Sequence, residues 1–207
     1  MIYPSCQGTG TATVDTAQAH SGTKSIRIDG GGGFCNHVFF GNTSKIAGIG
    51  PVLYGRIFVR MSTALGVSHV TFMAMTDVND GGKNLRFGGQ GQVMAWNRES
   101  DDATVPSMSP VGISMSASLP VNQWSCLEFK VDGTNGFLQA WLNGSEVLGL
   151  AVDGVATTDI DAQWKTRTNW HPSLSDVKIG WESYSTDANT LWFDDVAFGA
   201  TRIGCGS

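Results

Sequence analysis

The sequence predicts an all-β protein, two antiparallel sheets packed as a jelly-roll sandwich with a concave groove. Three observations carry that expectation. About ten short runs alternate apolar with polar residues at the two-residue period of a strand, whose successive side chains point to opposite faces. Turn chemistry separates the runs, with 27 glycines among 207 residues available where tight turns need positive φ. Helix-period stretches are almost absent, and many short antiparallel strands bury their apolar faces most naturally between two sheets. One domain over residues 1 to 207 is expected, because all-β domains of this size are commonly single.

In chain order, residues 1 to 10 read as an irregular lead-in pinned by Cys6, residues 11 to 15 as a short strand and residues 20 to 23 as a turn. In the next strand Lys24, Ile26 and Ile28 alternate with Ser25, Arg27 and Asp29, which puts Lys24 on the apolar side. Residues 30 to 33, all Gly, form a flexible connection. A strand over residues 35 to 40 carries His37, which beside an aromatic pair reads as a packed histidine. Residues 55 to 61 alternate Ile57, Val59 and Met61 against Arg56, Phe58 and Arg60, and a strand over residues 67 to 75 has His69 and Thr71 on one face. Residues 103 to 119, rich in Ser, Pro and Met without a clear period, form a long loop of the kind that usually has a function, placed as a wall of the cleft. Alternating runs at 126 to 131 and 137 to 142 flank Asp132-Gly133-Thr134-Asn135-Gly136, a hairpin signal. Residues 152 to 172 are irregular, and strands at 177 to 183 and 191 to 198 follow. In the first of these Trp181 faces away from Glu182, into the core.

The densest functional-group chemistry lies at residues 83 to 102. At strand period Leu85, Phe87, Val93 and Ala95 share one face, and Arg86, Gln90, Gln92, Trp96 and Arg98 the other. Gly88, Gly89 and Gly91 thin the surface and let a ligand or a neighbouring backbone approach. Amides, guanidinium groups and an indole on one face are the set that holds sugar hydroxyls and carboxylates, so this run is expected to floor the cleft.

A formal net charge of −5 without a Lys/Arg cluster argues against a nucleic-acid surface, which needs a basic stripe. No apolar run approaches the roughly 20 residues that span a bilayer. Cys6, Cys35, Cys126 and Cys205 lack the CxxC spacing of a zinc site, so disulfides account for them better. An even cysteine count with little Lys and abundant Trp suggests a secreted, extracellular protein, and a monomer with neither nucleic acid nor membrane as partner is expected. No nucleophile elbow, HExxH motif or phosphate loop is present.

Several segments resemble a known family, the cellulose-induced secreted proteins of cellulolytic fungi and their bacterial relatives. They include His69-Val70-Thr71-Phe72, Gly81-Gly82-Lys83, Leu85-Arg86, Gly88-Gly89-Gln90, Trp141-Leu142-Asn143-Gly144-Ser145, Gly180-Trp181-Glu182, Trp192-Phe193-Asp194-Asp195 and residues 201 to 206. The string Asn97-Arg98-Glu99-Ser100-Asp101-Asp102-Ala103-Thr104 is the most specific of them. That family is similar to glucuronan lyases and, more distantly, alginate lyases, jelly rolls that act on polyuronic acids. The resemblance implies groove positions Arg86, Gln90 and Asp102, with His69 and Tyr184 as proton-handling residues. Asn84, which cannot transfer a proton, stands where some fungal relatives carry His.

Lyase cleavage abstracts the proton α to a uronate carboxylate and expels the β oxygen. Arg86, supported by Gln90 or Gln92, would stabilise the developing enolate. His69 would be the base and Tyr184 the acid, and Asp102 would orient Arg86 through a bidentate pair. Trp96 and Arg98 would form a sugar-stacking platform or pack at the edge. For His69 a bond to a backbone carbonyl is an equal reading. A glycosidase-type carboxylate pair, Glu99 with Glu182, stays open, because their separation is not legible in sequence. Two functions therefore stand, a lyase on acidic polysaccharide and a non-catalytic carbohydrate-binding protein that assists biomass degradation.

The resemblance further implies the disulfides Cys6 to Cys35 and Cys126 to Cys205. It implies a structural Ca²⁺ held by Ser21 and Asp194, with no cofactor needed for chemistry. Lys24 stands where an oxygen ligand would be, and its ammonium is expected to replace the ion by pairing with Asp194.

Overall fold

The computed structural model describes residues 2–5, 10–34, 37–42, 46 and 48–206. Its strands are β1 (Ile2–Ser5), β2 (Thr11–Asp15), β3 (Ser25–Gly30), β4 (His37–Asn42), β5 (Val52–Met61), β6 (Val70–Asp77) and β7 (Lys83–Gln90). They continue with β8 (Val93–Arg98), β9 (Ala103–Val105), β10 (Ser125–Asp132), β11 (Phe137–Leu142), β12 (Ser145–Glu146), β13 (Val177–Ser183) and β14 (Asn189–Gly199). Two short helices, α1 (Pro110–Met115) and α2 (Ala162–Lys165), lie in the long connections.

The strands form two seven-stranded antiparallel sheets, ordered β1-β4-β13-β6-β7-β8-β9 and β12-β11-β10-β5-β14-β3-β2, the jelly-roll sandwich that the alternating runs predict. Inward residues of both sheets form one apolar core, which includes Phe72, Phe87, Trp96 and Trp181 from the first and Ile57, Phe129, Leu138 and Phe193 from the second. The indole of Trp96 packs on Phe87 at 4.3 Å and reaches Phe129 of the opposite sheet at 6.1 Å, which ties the layers together. Each such side chain withdrawn from water contributes about 1.5–3 kcal/mol. Gly55 gives Phe129 its room, since a Cβ there would lie 2.2 Å from the ring.

The expected hairpin is present, with Asp132 paired to Phe137 and Leu127 to Leu142. Asp132 caps its turn by accepting N–H bonds from Thr134 and Asn135. Four expectations need correction. Residues 2 to 5 are a strand paired with β4 rather than an irregular lead-in. The stretch 103 to 119 is not one loop, because β9 extends the first sheet and α1 packs against residues 148 to 150. Ser109 caps that helix by accepting the Gly112 N–H at 3.0 Å. Lys24 is exposed just before β3 and makes no pair with Asp194. Trp96 and Arg98 are 0% and 1% exposed, so neither is a surface platform.

The last error has a simple cause. Residues 83 to 98 are two strands, not one, joined at Gly91 and Gln92, whose φ values of 62° and 68° make a two-residue hairpin turn. The reversal pairs Phe87 with Trp96 and Arg86 with Asn97, so the odd residues of β7 and the even residues of β8 face the core. Arg98 therefore points inward beneath α2. It lies over the Trp164 ring at 4.6 Å and bonds Asp101 through Nε and Nη2 at 2.8 and 2.5 Å.

Cys126 and Cys205 are bonded. The Cys6 to Cys35 pairing lies outside the described residues.

Candidate functional site

The outer face of the first sheet carries an Arg-centred cluster. Two register shifts build it, one in β13 between Ile179 and Glu182 and one in β6 between Thr71 and Met73. Bulges of this kind re-aim side chains, and here they bracket the pair Glu182 and Thr71. Gly88 is required opposite, because a Cβ there would lie 1.9 Å from the Val70 carbonyl oxygen. The glycines of β7 thus admit a neighbouring strand. Arg86 projects from the middle of β7 beside Asn97 of β8.

Arg86 is 9% exposed, and its Nη2 lies 3.2 Å from Glu182 Oε1, 3.7 Å from Glu99 Oε1 and 2.8 Å from the Tyr184 hydroxyl. Its Nη1 donates to Asn97 Oδ1 at a long 3.4 Å. Tyr184 is enclosed by rings: His69 stacks on it at 5.7 Å and 7°, while His37 and Phe34 meet it edge-on at 5.5 and 5.3 Å. Glu182 also lies 3.8 Å from His37 Nδ1. Asn84 donates from its backbone N–H and its side-chain amide to Glu99 Oε2, both at 2.7 Å.

These surroundings set the protonation states. Burial, and then the charge of Arg86, lower the His69 pKa, so that its imidazole is neutral at pH 7. Burial and the neighbouring Glu182 carboxylate raise the Tyr184 pKa and keep its phenol protonated. Burial alone would raise Glu99, but the Asn84 N–H and the Arg86 charge outweigh it and hold its carboxyl below the usual range. The centre thus combines a neutral imidazole, a protonated phenol and one guanidinium shared by two carboxylates.

Of the residues singled out in the sequence, Arg86, His69 and Tyr184 come together here. Gln90 lies on the same face of β7 as Arg86, four residues along, or about 13 Å at the strand repeat. Gln92 sits at the exposed hairpin turn and does not support Arg86. Asp102 makes no bidentate pair with Arg86. It accepts the Asn97 amide at 2.8 Å, and Glu182 and Glu99 take the place assigned to it. Trp96 and Arg98 lie in the core and beneath α2.

Glu99 and Glu182 approach the same guanidinium nitrogen, an arrangement that suits an ion-pair cluster better than two independent glycosidase carboxyls. Sequence reasoning missed Asn97, His37 and Phe34. The Gly91-Gln92 turn would have revealed Asn97, whereas the other two are brought in by tertiary packing. A cavity of about 540 Å³ between Pro51, Leu53, Asn79, Val131 and Pro172 lies apart from this cluster.

The carboxylate expected to hold calcium is engaged by neighbouring N–H groups. Asp194 Oδ2 accepts the N–H groups of His20 and Ser21 at 2.8 and 3.2 Å, and its Oδ1 accepts the Asp195 N–H at 2.8 Å. Asp195 takes the Ser21 hydroxyl and His20 Nδ1, both at 2.7 Å. Both acceptor directions of Asp194 Oδ2 are thus taken by N–H groups, and one of those of Oδ1.

The family model "Polysacc_lyase-like: Cip1-like, core domain" matches residues 1–201. A solved structure of cellulose induced protein, Cip1, is 46% identical with a TM-score of 0.91, covering 99% of this chain and 93% of that one. An endo-β-1,4-glucuronan lyase from the fungus Trichoderma reesei is 13% identical with a TM-score of 0.55, over 97% of this chain and 90% of that one. A structure of botulinum neurotoxin type C, whose cell entry depends on two ganglioside molecules, is 10% identical with a TM-score of 0.55, over 94% of this chain and 43% of that one. The last two likenesses are of fold alone. No curated protein sequence matches. Among the described residues no helix is long and apolar enough to cross a membrane.

Proposed function

The chain belongs to the polysaccharide-lyase-like family of the Cip1-like core domain, and on that premise we propose that it is a secreted protein that cleaves an acidic, glucuronan-like polysaccharide by β-elimination at the Arg86 cluster. The observation that carries this reading is the contact of Arg86 Nη2 with the Tyr184 hydroxyl at 2.8 Å, with His69 stacked on the same ring. A guanidinium, a neutral imidazole and a protonated phenol are the three groups that the elimination needs. Arg86 offsets the uronate charge, and its buried Nε, which bonds no described protein acceptor, is a donor in reserve. Neutral His69 takes the α proton. Tyr184, still protonated, gives its proton to the leaving oxygen.

A second reading, a binding protein that retains the lyase fold, is favoured by a different observation. Glu182 and Glu99 already compensate Arg86, so a uronate carboxylate entering there meets surplus negative charge. Asn84, which holds Glu99, cannot supply a further proton. The deciding experiment follows ultraviolet absorbance of the C4–C5 double bond during incubation with glucuronan, alginate and cellulose. Sustained product from glucuronan in the parent protein but not in His69→Ala supports the lyase. A flat trace on every polymer, at concentrations where binding is measurable, rejects it and leaves the binding protein.

A further inference from the structure

We propose that Phe34 is a sugar-stacking subsite, a fixed aromatic platform for the apolar face of a pyranose ring immediately beside the Arg86 cluster. This rests on the polysaccharide reading of that face and names a binding position within it. Phe34 is 72% exposed, the most exposed of the large apolar side chains described, where others such as Val14, Val67 and Leu148 are aliphatic. Its ring meets Tyr184 edge-on at 5.3 Å and 72°, and the Tyr184 hydroxyl in turn accepts from Arg86 Nη2 at 2.8 Å. One aromatic ring thus separates Phe34 from the guanidinium.

The loop that presents Phe34 is anchored despite its glycines. The Gly33 N–H donates to the Ser185 carbonyl, and Trp181 Nε1 donates to the Gly31 carbonyl at 3.0 Å. At Gly32 a Cβ would lie 2.4 Å from the Thr186 carbonyl oxygen, so the two loops touch backbone to backbone. The backbone leading to the ring is therefore held in place before any ligand arrives, which limits the ordering entropy that remains to be lost on binding.

An aromatic left in water costs apolar burial and contributes nothing to the core. A pyranose ring recovers that area. Its axial C–H groups present an apolar face to the electron-rich face of the phenyl ring, while its hydroxyls stay at the edge, within reach of a polar rim. Uronic and neutral sugars share that C–H face, so the subsite serves the polymer backbone, while the Arg86 cluster faces the charged or reacting unit.

The test is titration calorimetry with glucuronan oligosaccharides and cello-oligosaccharides on the parent protein, Phe34→Ala, Phe34→Trp and Arg86→Lys. Phe34→Ala should weaken binding of the preferred series roughly tenfold, as expected for uncovering about 50 Å² of apolar surface. Phe34→Trp should restore the affinity and show indole fluorescence quenching by the same ligand. Because the ring is exposed, the melting temperature of Phe34→Ala should stay at the parent value, which separates lost binding from lost folding. Parental affinity in Phe34→Ala, with Arg86→Lys impaired, overturns the platform and leaves the polysaccharide reading in place. Loss in Phe34→Ala with Arg86→Lys unaffected supports the platform and removes Arg86 from the binding surface. No binding of either series by the parent protein overturns both.

Discussion

Two buried glutamates in this protein each meet an arginine, and they behave differently. Glu128, 1% exposed on the outer side of β10, accepts Arg202 Nε and Nη2 at 3.2 and 2.8 Å and the Gly204 N–H at 2.8 Å. The Arg202 guanidinium also lies over the Trp141 ring at 4.3 Å, and the Cys126–Cys205 disulfide closes over the same carboxylate. Both carboxylate oxygens there accept N–H bonds. Glu182, 6% exposed on the first sheet, meets Arg86 through one nitrogen at 3.2 Å without hydrogen-bond geometry, and Arg86 Nε and Thr71 Oγ1 bond no described protein atom. A satisfied pair is a fastening. An under-satisfied one, buried at a cost of several kcal/mol per ion unless its partners are supplied, marks a place where a ligand's polar groups would complete the set.

The largest predicted effect falls on the fastening. Replacing Cys126 and Cys205 together with Ser releases a closure spanning 79 residues and should lower stability by about 4 kcal/mol in the chain-entropy account. Glu128→Gln, which weakens three charge-assisted bonds, should cost about 2 kcal/mol. Chemical denaturation measures both. If either variant unfolds at the parent's denaturant midpoint, the clamp is not what secures residues 200 to 206, and the contrast between the two glutamates loses its structural arm.

The next effect falls on the under-satisfied pair, where function should suffer more than stability. Arg86→Lys keeps the charge near Glu182 and Glu99, so the unfolding free energy should fall by less than about 1 kcal/mol, while turnover of glucuronan should drop roughly a hundredfold. A point charge cannot reproduce the planar fork that would bond Tyr184 and a carboxylate together. A variant with normal turnover and a much lower midpoint would reverse the assignment and make Arg86 the fastening.

Sequence alone reached further into the sheets than into the site. Strand period correctly put Trp181 in the core and Glu182 on the opposite face, because no turn interrupts β13 between them. The same period failed for Trp96 and Arg98, since the hairpin at Gly91 and Gln92 shifts the phase by one residue and exchanges the faces. Arg86, His69 and Tyr184 were legible as chemistry, yet their assembly depends on two bulges and on a loop after β13 that no local pattern announces. Glu99 replaced Asp102 as an Arg86 partner for a related reason. Asp102, in the turn after β8 with φ of 56°, spends its carboxylate on Asn97.

A smaller effect should appear with pH. His69 has its pKa lowered from 6.5 in the folded protein by burial and by Arg86. Below 6.5 the unfolded chain binds the proton more readily, so the stability tied to neutral His69 is full above that pH and is lost as pH falls through the lower folded value. Comparing denaturant midpoints of the parent protein and His69→Gln between pH 7.5 and 4.5 should show the parent losing its relative advantage toward acid. If His69 is the base, turnover should decline over the same acid range. A difference that grows toward acid would mean that His69 is charged in the folded state, as a histidine paired with Glu182 would be.

The smallest predicted effect concerns the turn at residues 20 to 24, a third carboxylate site, which extends the same contrast. Asp194 resembles Glu128 in being satisfied, but by backbone: the His20, Ser21 and Asp195 N–H groups all point at it. Lys24, exposed and unpaired with Asp194, should then be replaceable by Ala with a change within about 0.5 kcal/mol. Calcium or a chelator should leave the melting temperature unchanged, since a cation entering would have to compete with the three N–H donors already bonded to Asp194. A calcium-dependent rise in melting temperature that Asp194→Ala abolishes would show those donors yielding, and would move Asp194 from the fastened class of carboxylates to the class that waits for a ligand.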